Sequence, residues 1–231
     1  MLSQPAVAKP ESVGQAIRTP RAAALAGIAF SVLYAVALVL LRTVVPADPS
    51  DAGQWLEDSG QRGIVLFALG LVPFAGIAFL WFIGVLRDRI GEAEDKFFGT
   101  VFLGSGLLFV AMIFVAAAVA AGMVTAAGDA SDKLVASGAW DFGREAAYEL
   151  MVVYAMRMAA VCTLVISTIL RRTNLAPRWL VASGYAIAIV LLLTVGSLPW
   201  VELLFPAWVL ALSAHVLVVS FRDHPEPVAS R

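Results

Sequence analysis

Six stretches of the chain are apolar over about 20 residues or more, the length an α-helix needs to cross hydrocarbon at 1.5 Å per residue. They cover 22–41, 64–86, 97–127, 150–170, 179–198 and 200–221. The third is longer than the hydrocarbon is thick, so it should tilt or project beyond the bilayer. Spans five and six have a tight connection around Gly196, Ser197, Leu198 and Pro199, which makes them an antiparallel hairpin. Pro73 and Pro206 fall inside spans two and six, where a missing N–H predicts kinks. The pattern predicts an all-α polytopic membrane protein, a bundle of about six transmembrane helices over 21–222. Residues 1–20, rich in Pro, Ala and Ser, and residues 223–231 read as disordered cytoplasmic tails.

Basic residues orient the spans. Lys9, Arg18, Arg21, Arg87, Arg89, Lys96, Arg171, Arg172, Arg178, Arg222 and Arg231 flank them on one side, against Arg42, Arg62, Lys133 and Arg144 on the other. Cytoplasmic segments carry the excess of Lys and Arg, so both termini are expected inside. Val45-Pro46-Ala47 offers a cleavage site after the first span, but that span is longer than a signal-peptide core and reads as a retained helix. Trp55 and Trp140 lie in the outer segments GQWLEDSG and GAWDFGRE, which predicts indole anchors at the headgroup level. The charged segment from Arg87 to Lys96 reads as a short helix at the membrane face.

Composition agrees with this reading. The chain of 231 residues is 61% hydrophobic and 14% charged, with mean hydropathy +0.87, whereas soluble domains are about half apolar and a quarter charged. Lipid must therefore solvate part of the apolar surface. A net charge of −1 excludes a nucleic-acid face. The single cysteine, Cys162, excludes an intrachain disulfide and a thiolate metal cluster. The preference for Arg over Lys, the abundance of Ala and the single Asn174 point to a GC-rich bacterial genome, and so to the bacterial cytoplasmic (inner) membrane.

Helices associate in lipid through close packing rather than hydrophobic exclusion. Small residues at four-residue spacing predict contact ridges: Ala23, Gly27, Ser31 and Ala35 on the first span, Ala118, Gly122 and Ala126 on the third, Gly184 and Ala188 on the fifth. The shared Leu-Arg ends of spans two and four are what any cytoplasmic boundary produces, and no internal repeat is assigned.

Few residues within the spans can carry chemistry. Arg157, in YAMRMAA, lies about two turns inside the fourth span by helical rise. A guanidinium at such depth costs roughly 2.5–3.5 kcal/mol on insertion scales. Glu149, about two turns outward on the same helix, and Glu202, near the outer end of span six, are the expected partners. The three form a candidate intramembrane polar site, either a structural pair or an anion contact in an outward-facing cavity. Glu202 also suits a helix start, where a carboxylate meets the N-terminal dipole. His215 is a weaker candidate: the only other histidine, His224, is in the tail, so bis-histidine haem and a metal site both lack ligands, and no cofactor is expected.

Gly104-Ser105-Gly106 with Ala214-His215 resembles the Ser-His dyad of rhomboid-type intramembrane serine proteases, which also have a six-helix core. The likeness stops at those residues: the serine is on a different span from the family's, and no glycine motif follows His215. Close helix contact is the expected role of Gly104 and Gly106. Phosphate-loop, dinucleotide and nucleophile-elbow signatures are absent, and the acidic outer loops match no calcium-loop spacing.

Three function classes follow. First is a non-enzymatic bundle that assembles with, or regulates, another membrane protein, or assembles with further copies of itself. Second is a small transporter or channel with an anion or lipid-headgroup contact at Arg157; its spans lack Asn, Gln and a mid-bilayer Asp, so a wide hydrophilic path is hard to build. Third is an intramembrane enzyme, which lacks a general base. In type, the chain resembles small polytopic membrane proteins of bacteria.

Overall fold

A chain in hydrocarbon must satisfy its backbone polar groups internally, and helices do this within one segment. The computed structural model describes residues 20–45, 54–90, 96–136, 138–193 and 200–222. The two expected tails, the turn Gly196–Pro199 and the centre of the charged segment after span two lie outside them. The described residues form α1 (Pro20–Val44), α2 (Ser59–Ile90), α3 (Lys96–Ala136), α4 (Ala139–Tyr148), α5 (Ala155–Thr173), α6 (Arg178–Leu193) and α7 (Leu204–Arg222). A π-helical segment, Glu149–Tyr154, joins α4 to α5 in one continuous rod.

Local chemistry sets the ends. The Asp58 carboxylate accepts hydrogen bonds from the backbone N–H of Gly60 at 2.7 Å and Gln61 at 3.4 Å, the N-capping arrangement that starts α2. Asn174 ends α5 at φ 54°, the left-handed cap that Asn tolerates better than most residues. Gly138 at φ 70° allows the sharp entry into α4.

Five helical stretches are long and apolar enough to cross a bilayer: Arg21–Val44, Ser59–Arg87, Phe97–Ala127, Ala139–Thr173 and Val201–Phe221. The remaining predicted span is described over the 16 residues of α6. Apolar side chains line the outside as well as the core; Phe67, Phe74 and Trp81 recur every seventh residue on the exposed face of α2. Lipid is the medium that accommodates such a surface.

The helices pack in chain order. α1 lies against α2 and α7, α2 against α3, α3 against α4 and α5, α5 against α6, and α6 meets α7 to close the bundle. Neighbours run antiparallel. At one end Arg21 contacts both Ser220 and the Phe221 ring, and Arg172 stacks over Phe98. At the other end Arg42 meets Glu202 and Trp55 meets Trp140. The first end carries the predicted cytoplasmic charges, so the second is called outer below.

The axis is filled by rings. Phe30 of α1, Phe79 of α2, Phe109 of α3 and Phe205 of α7 are fully buried. Their centroids are 4.7 Å apart for Phe30–Phe79, 5.2 Å for Phe79–Phe109 and 5.1 Å for Phe109–Phe205. Tyr34 stacks on Phe30 at 5.5 Å.

Four expectations change. α3 extends to Ala136 and the fourth span begins at Ala139, so GAWDFGRE is helical; a ten-residue amphipathic helix has too few apolar residues to register as a span. Pro206 sits in the first turn of α7, where its missing N–H breaks no intrahelical bond and forces no kink. Ala118, Gly122 and Ala126 are exposed rather than packed. A Cβ on Gly104 would meet nothing within 4 Å, whereas one on Gly106 would lie 3.1 Å from Ile83, so only Gly106 makes the predicted close contact.

The α1 ridge is buried at Ala23, Gly27 and Ser31, and Gly184 and Ala188 are buried on α6. A Cβ on Gly184 would collide with the Ser167 hydroxyl and lie 2.8 Å from the Trp208 ring, itself fixed by its N–H donating to the Leu180 carbonyl at 3.1 Å. Gly184→Val should therefore lower stability by about 1–3 kcal/mol. Gly104→Ala should be neutral or stabilising by up to about 1 kcal/mol. Thermal unfolding of the two variants in one detergent measures the contrast.

Candidate functional site

The charged centre of the described bundle is at its outer end. Arg42, in the last turn of α1, places Nη2 2.5 Å from Oε1 of Glu202. Glu202 lies in the 3₁₀ turn Val201–Leu203 that leads into α7 and is only 3% exposed. Each charge also suits its helix end, the cation at a C-terminus and the carboxylate at an N-terminus. The Arg42 side chain is 25% exposed, so the pair links the core to the outer surface.

The pair forms one wall of a cavity of about 570 Å³, within the range of small-molecule sites. Leu38, Leu69, Ala120, Val124 and Val152 give it an apolar lining, and Asp141, Arg144 and Glu145 of α4 line it too. Trp55 and Trp140 also line it. Their rings lie 6.2 Å apart at 57° and are 8% and 5% exposed, so they are packed against one another rather than anchored singly among headgroups. The segment bearing Trp55 is held down by the Arg62 guanidinium, which donates to the Leu56 carbonyl, and by the Asp58 N–H, which donates to the Trp55 carbonyl at 3.3 Å.

Four buried side-chain donors lack a partner among the described residues, the Ser167 and Ser213 hydroxyls and two nearer the outer end. Trp140 Nε1 and the Tyr34 hydroxyl make no hydrogen bond among the described residues, and Tyr34 lies within electrostatic reach of Glu202. Buried polar groups ordinarily find a partner, so each such atom calls for an explanation.

The predicted polar triad is not assembled. Glu202 pairs with Arg42 rather than with Arg157. Glu149 is half-buried in the π-helical segment and makes no ion pair with Arg157. Arg157 itself is exposed, on the same side of its helix as Tyr154 and Leu164, and lines neither described cavity. Axial distance separates Glu149 from Arg157: they stand two turns apart, about 12 Å of helical rise, whereas side chains on one helix meet at a spacing of three or four residues. Arg42 was passed over because its position at a span boundary looks like any outer-loop charge. A basic residue ending the first span and an acidic one beginning the last were the only signals for the pair.

His215 and the Ser213 hydroxyl line a smaller cavity of about 210 Å³ towards the cytoplasmic end. Ser105 is not there: its hydroxyl donates within its own helix to the carbonyls of Val101 at 2.7 Å and Phe102 at 3.1 Å. The Ser-His dyad is therefore not formed.

No family model matches this chain, and no curated protein or solved structure is significantly similar to it.

Removing one member of a buried pair strands the other charge. Arg42→Met should destabilise the protein by about 3 kcal/mol, while adding Glu202→Met should restore most of that loss. Unfolding of the single and double variants in detergent gives the comparison, and additive losses would show that the two side chains are not coupled.

Proposed function

We propose that this chain is a non-enzymatic component of the bacterial cytoplasmic membrane that assembles with, or regulates, another membrane protein. The observation that carries this reading is Arg157, exposed on the outside of the bundle, with no ion pair or hydrogen bond among the described residues. It lies about 21 Å along the helix from Arg171 at the cytoplasmic end, well within the apolar span. An arginine facing lipid there carries an insertion cost that a partner carboxylate removes. Its long stem allows partial reach towards the headgroups, past Tyr154, which is also exposed.

The exposed stripe Ala118, Gly122 and Ala126 on α3 supports the same reading, because small residues on a lipid face let a second helix backbone approach closely. A second copy related by an axis along the bilayer normal would set Arg157 opposite Arg157 at equal depth, and the like charges would repel. A different spanning helix with an acidic residue at that depth is the better complement.

The transporter reading has less support. Arg157 stands outside the cavity, and the buried Phe30, Phe79, Phe109 and Phe205 rings occupy the axis.

Arg157→Leu should leave the stability of the isolated protein within about 1 kcal/mol of wild type. It should also abolish stoichiometric copurification of the partner from native membranes in mild detergent. A photocrosslinker at Leu164 should capture that partner. Unchanged copurification in Arg157→Leu, or crosslinks joining the chain only to itself, would overturn the heteromeric reading.

A further inference from the structure

We propose that the outer cavity is a binding site for an amphiphile with a zwitterionic amine-phosphate headgroup, taken from the outer leaflet or presented from outside. The inference rests on the cavity and is independent of the Arg157 surface.

The cavity is amphiphilic in a directional way. Leu38, Leu69, Ala120, Val124 and Val152 offer a methylene chain an apolar lining. Polar groups line the same cavity in two sets of different character. One set is centred on a donor, the Arg42 guanidinium, a quarter exposed. A phosphate oxygen is the acceptor that suits it, since a guanidinium can only donate. Glu202 already holds one edge of Arg42, which fixes the guanidinium fork and leaves its remaining N–H groups available.

The other set is acidic. Asp141 and Glu145 are exposed and lie on α4 at the spacing of adjacent helical turns, both on the cavity side. Among the described residues, the charged side chains that line the cavity are Asp141, Glu145 and Glu202 against Arg42 and Arg144, an excess of one negative charge. A purely anionic headgroup would meet this excess unfavourably. A headgroup that adds an ammonium places a positive charge on the acidic side, where the faces of Trp55 and Trp140 add cation–π attraction. Such a ligand supplies an acceptor for the remaining N–H groups of Arg42 and a cation for the surplus carboxylate, with its chain on the apolar lining.

The test uses the full chain in maltoside micelles and, as probe, a lysophosphatidylethanolamine bearing a diazirine on its acyl chain. Photolysis should label the cavity wall around Ala120–Val124 and Met151–Val152. Excess unlabelled zwitterionic lysolipid should compete, and inorganic phosphate should not. Ala120→Phe, which fills the cavity, should reduce that labelling at least fivefold while labelling of the lipid-facing Phe74–Trp81 strip stays constant. The double variant Asp141→Asn and Glu145→Gln alters only exposed side chains, so it keeps the test available if the filled variant fails to fold. It should weaken the zwitterionic probe about tenfold and spare a lysophosphatidic acid analogue of equal chain length.

Wall labelling that is absent, or that persists in Ala120→Phe, would overturn the site. Competition by inorganic phosphate would overturn the amphiphile in favour of a free anion. Equal weakening of both lysolipids, or of neither, by the double variant would overturn the ammonium assignment.

Discussion

Four phenylalanine rings from four helices meet on the bundle axis, and the arrangement of the remaining parts follows from that contact. In lipid, burying an apolar side chain against protein gains little over leaving it in hydrocarbon. What differs is the density and geometry of the contact. The Phe30, Phe79, Phe109 and Phe205 rings touch mostly at steep angles, the edge-to-face preference of aromatic quadrupoles, which contributes about 0.5–1.5 kcal/mol per pair beyond area. These contacts fix α1, α2, α3 and α7 about one centre. α5 and α6 join by another route, close backbone approach at Gly184, where Ser167 and Trp208 crowd the position a side chain would take.

Above the rings the packing changes character. Small and medium side chains such as Ala120, Val124 and Val152 replace the aromatic filling, and the space between the helices opens into the outer cavity. Arg42 and Glu202 span that opening between α1 and the start of α7. The same two helices meet at the cytoplasmic end through Arg21, Ser220 and Phe221. α1 and α7 are thus tied by polar contacts at both ends and by rings in the middle. The other wall rests on the rod that runs from α4 through the π turn into α5.

How much of this was legible in the sequence depended on which physical signal each feature leaves. The spans follow from hydropathy, because twenty apolar residues have few alternatives to a membrane helix. Gly27 and Gly184 were readable as contact points, since small residues recur there at helical spacing. The identical spacing of Ala118, Gly122 and Ala126 faces outward, because periodicity marks a face and does not say what it meets. The depth of Arg157 was legible in the sequence, but its expected partner Glu202 pairs with Arg42 instead. Glu149 and Arg157 stand two turns apart, about twice the spacing at which side chains on one helix meet. Arg42 and Glu202, 160 residues apart, could be joined only by the closure of the bundle. Trp140 looked like an interfacial anchor because α4 is too short and too polar for a hydropathy window to reveal as helix.

The layer of rings has an electrical consequence. Water entering the outer cavity carries the external potential inward to the level of Arg42 and Glu202, so within the bundle the membrane voltage falls chiefly across the aromatic layer and the cytoplasmic half beneath it. Moving one elementary charge through 100 mV takes about 2.3 kcal/mol, and a shorter low-dielectric path concentrates the field that any such charge meets. The rings of Phe30, Phe79, Phe109 and Phe205 carry no polar side-chain atom and form a low-dielectric layer beneath the charged groups at the outer end.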